Sequence, residues 1–392
     1  MKINNHASIL DRRIDFLSSS DEKEWGYKHP QTDTFAVLYP KDYHKNKTYP
    51  LCVVFHSAGH TVYNIITCLK NDGDHDIYHV PDDMFGLFPD CFCHGWDKDS
   101  TDWWWGGRNA HEPQVNARSG VELQPVEKRC FATIEWVMNE FPIDENRVYA
   151  VGNSMGGSGA LGLGLSHGNL FAAVKVNVPA GVYHALDRCA IAQNAPEGFT
   201  LPDPPVVLDY SAQNDEWSDG HEHLYRAMRE NRFAFMGFWG PFGHENNHRK
   251  IAEYNDIIQS FDIFSVKKNE AYPVFTNAST DDGNPWEHER DTENSGQVNG
   301  YFRWKVLSDT EDEFSIELRL LAEDEWESRL TFPAESSADV TLRRLQNFKA
   351  AAGERLRYTY GDKSGEITVS GALTPGRLCI KTVPTVLKIT KE

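Results

Sequence analysis

Short apolar runs alternate with amphipathic stretches along the first two thirds of the chain. Residues 51–55 form a continuous apolar run, which is typical of a strand buried on both faces of a parallel sheet. Residues 125–140 place apolar side chains at helical spacing and begin with a proline, which suits the first turn of a helix. Strands that alternate with helices predict an α/β fold with a mainly parallel sheet. The further predicted strands are 34–39, 148–151, 171–178, 205–210 and 233–238.

The pattern changes at about residue 266, where the apolar period becomes two. Phe314, Ile316, Leu318 and Leu320 alternate with polar residues, as in a strand with one buried face. We expect a β-sandwich of the immunoglobulin or fibronectin type in this part of the chain. The same spacing recurs between Gly, Pro and Asp turns at Val340/Leu342, Tyr358/Tyr360, Ile367/Val369, Leu378/Ile380 and Leu387/Ile389.

The apolar run 148–151 ends in Gly152-Asn153-Ser154-Met155-Gly156, after which small residues open a predicted helix. Strand, sharp turn and helix are the context in which Gly-x-Ser-x-Gly forms a nucleophile elbow. Glycine is needed at both ends of the motif because a Cβ atom there would clash. In such a turn the N–H of Met155 faces the oxyanion of an acyl-transfer reaction. Ser154 is therefore the candidate nucleophile.

A serine hydroxyl needs a base to take its proton, and the base needs an acid to hold its tautomer. With an elbow of this kind the chain order is serine, acid, histidine. Asp215 and His244 each follow a predicted strand, at the sheet edge where the active site of an open α/β sheet lies. We predict Asp215 as the acid and His244 as the base. Glu216 and Asp219 are the reserve acids, Asp209 lies within the strand, His248 is the rival base, and His221 and His223 are predicted to be surface residues.

The run 51–55 ends in the loop His56-Ser57-Ala58-Gly59, which leaves the same sheet edge as the elbow. A second N–H donor to the oxyanion is expected in this loop. Ala58 is the candidate donor, with Ser57 as the less favoured choice. His56 is a candidate for contact with substrate. A plain turn that ends the strand is the alternative interpretation.

Residues 71–120 form a long insertion with little helical or strand periodicity, and loops of this length tend to be functional. The insertion contains three consecutive tryptophans, which cannot all face the same way. Aromatic faces stack on sugar rings or aromatic acyl groups, and an arginine pairs with carboxylates. We interpret Trp103, Trp104, Trp105 and Arg108 as candidate substrate-binding residues, with core packing as the alternative.

Two patterns near the elbow suggest a transmembrane helix and a dinucleotide-binding motif, but the surrounding sequence argues against both. Residues 148–166 carry no charge, but their glycines and polar residues make a poor transmembrane helix. Residues 157–162 match Gly-x-Gly-x-x-Gly, yet they lie inside the predicted helix. No acid follows at the distance that dinucleotide binding needs.

Two patterns that suggest zinc are also weak. Cys91, Cys93 and His94 lack a second ligand pair at a suitable spacing. Residues 244–248 match His-Glu-x-x-His, but that motif needs a helix, and Gly and Pro residues directly precede it. We therefore expect no metal and no cofactor.

Composition narrows the classes of partner. The chain has 392 residues and a formal net charge of −19, which disfavours binding to nucleic acid or to an anionic membrane. Its seven cysteines are scattered, unlike a disulfide framework. The N-terminal residues show no signal-peptide pattern. The sequence leaves the compartment open: secreted or periplasmic if a leader was removed, and otherwise cytoplasmic.

Residues 143–161, IDENRVYAVGNSMGGSGAL, and residues 170–181, LFAAVKVNVPAG, resemble the α/β-hydrolase superfamily. Within it they are similar to poly(hydroxyalkanoate) depolymerases, feruloyl esterases and acetylxylan esterases. The resemblance covers residues 34–262. It implies that Ser154, Asp215 and His244 are a catalytic triad and that Met155 and Ala58 supply the oxyanion N–H groups. The chain departs from the group at His56-Ser57, where the group usually has His-Gly.

These observations together predict a serine carboxylesterase acting on acyl or aromatic esters, carried on carbohydrate. The expected partner is a small-molecule or polysaccharide ester; the sequence defines no oligomeric state. A serine peptidase of the prolyl-oligopeptidase type and a glycan-binding protein with an inactive hydrolase domain are the alternatives. The expected domains are an N-terminal extension on the core (1–33), an α/β-hydrolase catalytic domain (34–265) with the insertion 71–120, and the β-sandwich (266–392).

Overall fold

The computed structural model describes residues 1–20, 23–71, 75–93, 100–106, 120–189, 196–244, 248–286 and 295–391. Within these ranges the largest sheet has ten strands. A three-stranded and a five-stranded antiparallel sheet belong to the C-terminal part. No helix in the described ranges has both the length and the apolar character needed to cross a membrane.

The secondary structure has these bounds. The strands up to residue 240 are β1 (Lys2–Ile9), β2 (Arg12–Ser20), β3 (Thr32–Leu38), β4 (Tyr49–Phe55), β5 (Phe85–Pro89), β6 (Phe92–Cys93), β7 (Ser100–Thr101), β8 (Ile143–Asn153), β9 (Ala173–Asn177), β10 (Val206–Ala212) and β11 (Phe235–Gly240). The later strands are β12 (Tyr272–Thr276), β13 (Gly296–Val298), β14 (Phe302–Asp309), β15 (Glu313–Leu320), β16 (Glu335–Arg343), β17 (Arg355–Tyr360), β18 (Lys363–Thr368), β19 (Leu373–Lys381) and β20 (Thr385–Lys391). The α-helices are α1 (Val62–Cys68), α2 (Pro125–Glu140), α3 (Met155–Ser166), α4 (Tyr183–Arg188), α5 (His221–Glu230) and α6 (His248–Tyr254).

The large sheet has the order β1-β2-β3-β5-β4-β8-β9-β10-β11-β13. Its central strands, from β5 to β11, pair in parallel, while β1, β2, β3 and β13 pair antiparallel at the two sides. The predicted α/β fold with a mainly parallel sheet is confirmed and fits the α/β-hydrolase type. The carboxyl ends of β4, β8, β10 and β11 therefore lie at one edge of the sheet, where a site is expected.

Apolar side chains cover both faces of the large sheet in two separate clusters. Val53 belongs to the cluster that includes helices α2 and α3, whereas Val54 belongs to the other. Successive strand residues point to opposite faces, so a continuous apolar run is what a strand buried on both sides requires. Each buried side chain of this size contributes about 1.5–3 kcal/mol. The cluster that contains Val54 continues into the C-terminal sheets, through residues such as Ile316 and Ile380.

The insertion is not all loop, which corrects the expectation of little regular structure between residues 71 and 120. Phe85–Pro89 forms β5, a fully buried strand that pairs in parallel with β4 and antiparallel with β3. The run is short, continuously apolar and closed by a proline, so it shows neither of the periodicities that mark half-buried elements. The segment thus contributes a strand to the middle of the sheet.

The N-terminal residues also join the sheet. Strands β1 and β2 form an antiparallel hairpin, and β2 pairs with β3 along its length. Leu10 and Asp11, both in the left-handed region with φ of 51° and 59°, make the turn. Strand β1 is exposed along nearly all its length, which explains why its sequence carries no apolar run.

The C-terminal part is β-rich, as the alternating pattern predicted. Strands β12, β16 and β19 form one antiparallel sheet, and β14, β15, β20, β17 and β18 form another. In β15 the side chains of Phe314, Ile316, Leu318 and Leu320 are all buried. Strand β13 leaves this part and pairs with β11 of the large sheet, so the two parts share hydrogen bonds as well as a core.

Candidate active site

Ser154 occupies the turn between β8 and α3 with φ of 55° and ψ of −122°, a conformation that non-glycine residues rarely adopt. Its N–H donates to the carbonyl of Asn177 at 3.0 Å, and its own carbonyl accepts from Ser158 and Ala180, both at 3.1 Å. Strain of this kind costs about 1–3 kcal/mol and persists where the surroundings fix the backbone. The turn therefore holds the Ser154 hydroxyl clear of both elements.

The two glycines of the motif are required by close backbone contacts. A Cβ atom on Gly152 would overlap the carbonyl of Gly156. A Cβ atom on Gly156 would overlap the carbonyls of Phe55 and His56 at the end of β4. The prediction that both ends of the motif must be glycine is confirmed, and the second glycine also lets α3 approach the neighbouring strand.

The structure brings the three predicted triad residues into contact. His244 Nε2 lies 2.8 Å from Ser154 Oγ, and His244 Nδ1 lies 2.7 Å from Asp215 Oδ2. Asp215 is completely buried, whereas the imidazole of His244 is 29% exposed. An imidazole that faces a hydroxyl on one side and a buried carboxylate on the other can take the hydroxyl proton.

The sheet explains why these residues meet across long stretches of chain. Strands β10 and β11 are parallel neighbours in register, with Ala212 opposite Gly240. Beyond that point the N–H of Gln213 donates to Gly240 at 2.8 Å, and the N–H of Asn214 donates to Phe242 at 3.0 Å. The two loops thus leave the sheet side by side, which brings the acid and the base together.

The reserve acids lie in other surroundings. Glu216 and Asp219 are exposed. Asp209 is buried within β10 and accepts hydrogen bonds from Tyr225 at 2.8 Å and Ser211 at 2.9 Å. Burial raises the pKa of Asp209 to about 7, more than those hydrogen bonds lower it. Asp209 is therefore a core residue of the sheet, and Asp215 is the acid that contacts His244.

Among the other histidines, one prediction needs correction. His221 was expected at the surface, but it is fully buried, and its Nε2 lies 2.9 Å from the carbonyl of Pro179. It begins helix α5 on the side that faces the loop after β9, which a sequence pattern of two nearby histidines does not reveal. His223 is exposed, as expected. The side chain of His248 lies outside the described residues.

The predicted oxyanion donors, Met155 and Ala58, follow the parallel neighbours β8 and β4 at the same edge of the sheet. Met155 is the first residue of α3, where helix geometry leaves the N–H without an intrahelical acceptor. In the loop after β4, the N–H of Ser57 donates to the hydroxyl of Tyr78 at 3.0 Å. Ala58 is exposed, and no described residue accepts from its N–H. Occupation of the Ser57 N–H favours Ala58 over Ser57 as an oxyanion donor.

His56 does not reach the substrate side, which corrects its predicted role. Its side chain is fully buried. Its Nδ1 lies 2.9 Å from the carbonyl of Ser57, and its Nε2 accepts from the N–H of Cys91 at 3.2 Å and lies 3.1 Å from Asp90 Oδ1. The imidazole thus ties the loop after β4 to the end of β5. The position of His56 in a candidate oxyanion loop does not reveal the direction of its side chain.

The three tryptophans differ in burial. Trp104 and Trp105 are buried, so they are corrected from substrate contacts to core residues. Trp104 Nε1 donates to the carbonyl of His56 at 2.9 Å, and Trp105 stacks on His184 with ring centroids 3.9 Å apart. Trp103 is half-buried, with its ring centroid 5.1 Å from that of Trp105, so it stays a candidate for contact with substrate. Arg108 lies outside the described residues.

Sequence reasoning missed two aromatic residues beside the site. The N–H of Trp217 donates to Asp215 Oδ1 at 2.8 Å, and half of this residue is exposed. Tyr78 is buried against the loop after β4. An aromatic residue two positions after a candidate acid was the available signal for Trp217; for Tyr78 there was none, because its partners are distant in sequence.

No metal site emerges from the described ranges. Their His, Cys, Asp and Glu residues form no group of three or more able to hold an ion. The thiol of Cys91 is buried beside His56, with Sγ 3.6 Å from Nε2, and His94 lies outside the described residues. The zinc interpretation of this segment therefore gains no support.

The part of the chain that matches a known protein family includes this site. Residues 132–256, which contain Ser154, Asp215 and His244, match the Esterase family model. No curated protein matches the chain. The predicted resemblance to esterases is confirmed over these residues, and the chain is an enzyme that acts on ester bonds.

Several solved structures are similar to part of the chain at low sequence identity. An S-formylglutathione hydrolase from Agrobacterium tumefaciens is 15% identical over 66% of this chain and 98% of that chain, with a TM-score of 0.46. A CE1 ferulic acid esterase from Anaeromyces mucronatus is 14% identical over 65% and 96%, with a TM-score of 0.40. A thermostable esterase is 19% identical over 64% and 63%, with a TM-score of 0.44.

Proposed function

We propose that the chain is a serine carboxylesterase that works through an acyl-enzyme on Ser154. One observation carries the proposal: His244 contacts both the Ser154 hydroxyl and the buried carboxylate of Asp215. His244 Nε2 takes the proton of Ser154 Oγ as the oxygen attacks the ester carbonyl carbon. Asp215 holds the Nδ1–H and stabilises the imidazolium that forms.

The tetrahedral intermediate carries a negative oxygen. The N–H groups of Met155 and Ala58 donate to it, each worth about 2.7–4 kcal/mol of barrier in such sites. As the intermediate collapses, the C–O bond to the alcohol breaks, and the proton on His244 goes to the leaving alkoxide. Water, deprotonated by His244, then attacks the acyl group. As the bond between the acyl carbon and Ser154 Oγ breaks, His244 returns the proton to Oγ, which releases the acid and free Ser154.

We further propose that the substrates are acyl or aromatic esters carried on carbohydrate. The half-buried Trp103 and the exposed Trp217 support this, because indole faces stack on sugar rings and aromatic acyl groups. The extension 1–33, the catalytic domain 34–265 with its insertion, and a β-sandwich over 266–392 are the proposed domains. The shared core and the β11–β13 pairing favour a sandwich that is fixed to the catalytic domain.

The test combines one substitution with a substrate panel. Ser154→Ala should reduce p-nitrophenyl acetate hydrolysis by on the order of 10⁴-fold or more while leaving the circular dichroism spectrum unchanged. Ser166→Ala, at the other end of α3, is the matched control. Retained hydrolysis by the first variant would refute the proposal.

The panel comprises acetylated and feruloylated oligosaccharides, a methyl uronate, an aliphatic polyester and an aminoacyl amide. Turnover of the first two supports the proposed substrate class. Turnover of the amide alone would indicate a peptidase instead, and glycan binding with no release of acid would indicate an inactive hydrolase domain.

A further inference from the structure

Ser57 lies in the loop after β4, and its side chain is buried beside the elbow. Its hydroxyl donates to the carbonyl of Asn153 at 3.0 Å and accepts from Asn153 Nδ2 at 2.9 Å. Asn153 directly precedes Ser154. Two hydrogen bonds therefore join the loop after β4 to the last residue before the nucleophile.

Tyr78 completes this network from the insertion, where it ends the 3₁₀ turn Asp76–Tyr78. Its hydroxyl lies 2.7 Å from Ser57 Oγ and accepts the Ser57 N–H at 3.0 Å. The single hydroxyl proton of Ser57 goes to Asn153, so the O–H of Tyr78 must donate to Ser57 Oγ. Every proton of the two hydroxyls is then used, and each bond lies where water cannot replace it.

The network has a consequence for the oxyanion donor. Tyr78 occupies the N–H of Ser57, so that group cannot turn toward a substrate. The next residue, Ala58, is exposed, and no described residue accepts a hydrogen bond from its N–H. A donor acts only if it meets the oxygen at the right distance, and a displacement of about 1 Å can cost on the order of 10²-fold in rate.

We propose that Tyr78 is a positioning residue: through Ser57 it holds the Ala58 N–H in place against the carbonyl oxygen of the bound ester. The inference rests on the proposed function. Tyr78 touches no substrate itself, because it is fully buried behind the loop. Ser57 is then the residue that links Tyr78 to the elbow.

The experiment uses the full chain with Tyr78→Phe, Ser57→Gly and the double variant. Tyr149→Phe is the matched control: Tyr149 is buried like Tyr78, and its hydroxyl donates to the carbonyl of Val266 at 2.9 Å, outside this network. We expect Tyr78→Phe and Ser57→Gly each to lower kcat for p-nitrophenyl acetate by about 10- to 100-fold with little change in KM. The double variant should lose no more than the worse single one, because both act through one network.

A second substrate distinguishes a displaced oxyanion donor from a general disturbance of the active site. In p-nitrophenyl thionoacetate the carbonyl oxygen is replaced by sulfur, which accepts hydrogen bonds weakly and gains little from an oxyanion hole. Tyr78→Phe and Ser57→Gly should therefore reduce the preference for the ester over the thionoester, and Tyr149→Phe should leave it unchanged.

Folded Tyr78→Phe and Ser57→Gly variants with wild-type kcat and preference would overturn the inference. Equal losses on both substrates would also overturn it, because they indicate damage that is not specific to the oxyanion. Should Tyr78→Phe fail to fold, Ser57→Gly alone decides the question. Failure of the proposed function has a different signature: Ser154→Ala would stay active whatever the Tyr78 variants do.

Discussion

His244 Nε2 lies 2.8 Å from Ser154 Oγ, although 90 positions separate the two residues in the chain. The contact exists because β8 and β11 deliver their loops to the same edge of one parallel sheet. Strained backbone at Ser154 presents the hydroxyl, and the Asp215 loop supports the imidazole from behind. The chemistry thus depends on sheet topology more than on any local sequence.

The carboxylate of Asp215 offers the first prediction. Asp215→Asn keeps the shape of the side chain but removes the charge that holds the Nδ1–H of His244, so the imidazole loses its correct tautomer. We expect kcat to fall on the order of 10³- to 10⁴-fold, measured with p-nitrophenyl acetate. Glu216→Gln, at the exposed neighbouring acid, should leave kcat unchanged. A large loss in the Glu216 variant and none in the Asp215 variant would exchange their roles.

Gly156 gives a prediction about the elbow itself. In Gly156→Ala the added methyl group meets the carbonyls of Phe55 and His56, so β4 and α3 must move apart. Such overpacking typically costs about 1–3 kcal/mol, and activity should fall with it. Urea denaturation and the hydrolysis rate measure the two effects. Gly283→Ala is the control, because a Cβ atom there meets nothing within 4 Å; an equally small effect at both positions would contradict the packing argument.

The buried carboxyl of Asp209 makes stability depend on pH. Burial raises its pKa to about 7 from 3.8, so between these values the folded state keeps a proton that the unfolded chain has lost. The stabilising contribution is complete below about pH 4 and disappears as the pH rises through about 7, by up to about 1.4 kcal/mol per pH unit. Asp209→Asn should therefore flatten the free energy of unfolding across this range, measured by urea denaturation. The exposed Asp219→Asn is the control, and identical slopes in both variants would count against the assignment.

The Arg188–Glu127 ion pair joins α4 to α2 in the interior. Arg188 Nε and Nη2 donate to the two carboxylate oxygens of Glu127 at 2.9 and 2.6 Å, and both side chains are buried. Arg188→Ala leaves the Glu127 charge without this partner, and we expect a loss of about 3–5 kcal/mol in unfolding free energy.

A surface pair provides the matched comparison. Arg147 pairs with Asp144 at 2.7 Å, with both side chains partly exposed. Arg147→Ala should cost only about 0–1 kcal/mol in the same urea titration. Similar losses in the Arg188 and Arg147 variants would show that burial does not govern the strength of these pairs.

Much of the fold was predictable because its strong periodicities are local. Residues 125–140 were predicted as a helix, and α2 has those bounds. The strands around 51–55, 205–210 and 233–238 also appear, shifted by one or two residues at their ends. Strand β5 and the β1–β2 hairpin were not predicted. The first is too short to show a period, and the second is exposed along β1.

The triad was predictable because the place of each residue directly after a strand decides where its side chain lies. Ser154, Asp215 and His244 each follow a strand, and parallel strands end at one edge. The directions of His56, Trp104, Trp105 and His221 were not predictable, because they depend on partners far away in the chain. Tyr78 was missed for the same reason: its contact with Ser57 spans 21 positions and leaves no pattern in the sequence.

The most direct test of the central claim is labelling with a serine-directed fluorophosphonate, followed by peptide mapping. The account predicts one adduct, located on the peptide that contains Ser154, with loss of esterase activity in proportion to labelling. It predicts slow labelling of His244→Ala and no effect of a metal chelator on the wild-type rate. An adduct on a different residue, or activity that a chelator removes while Ser154 stays unlabelled, would contradict it.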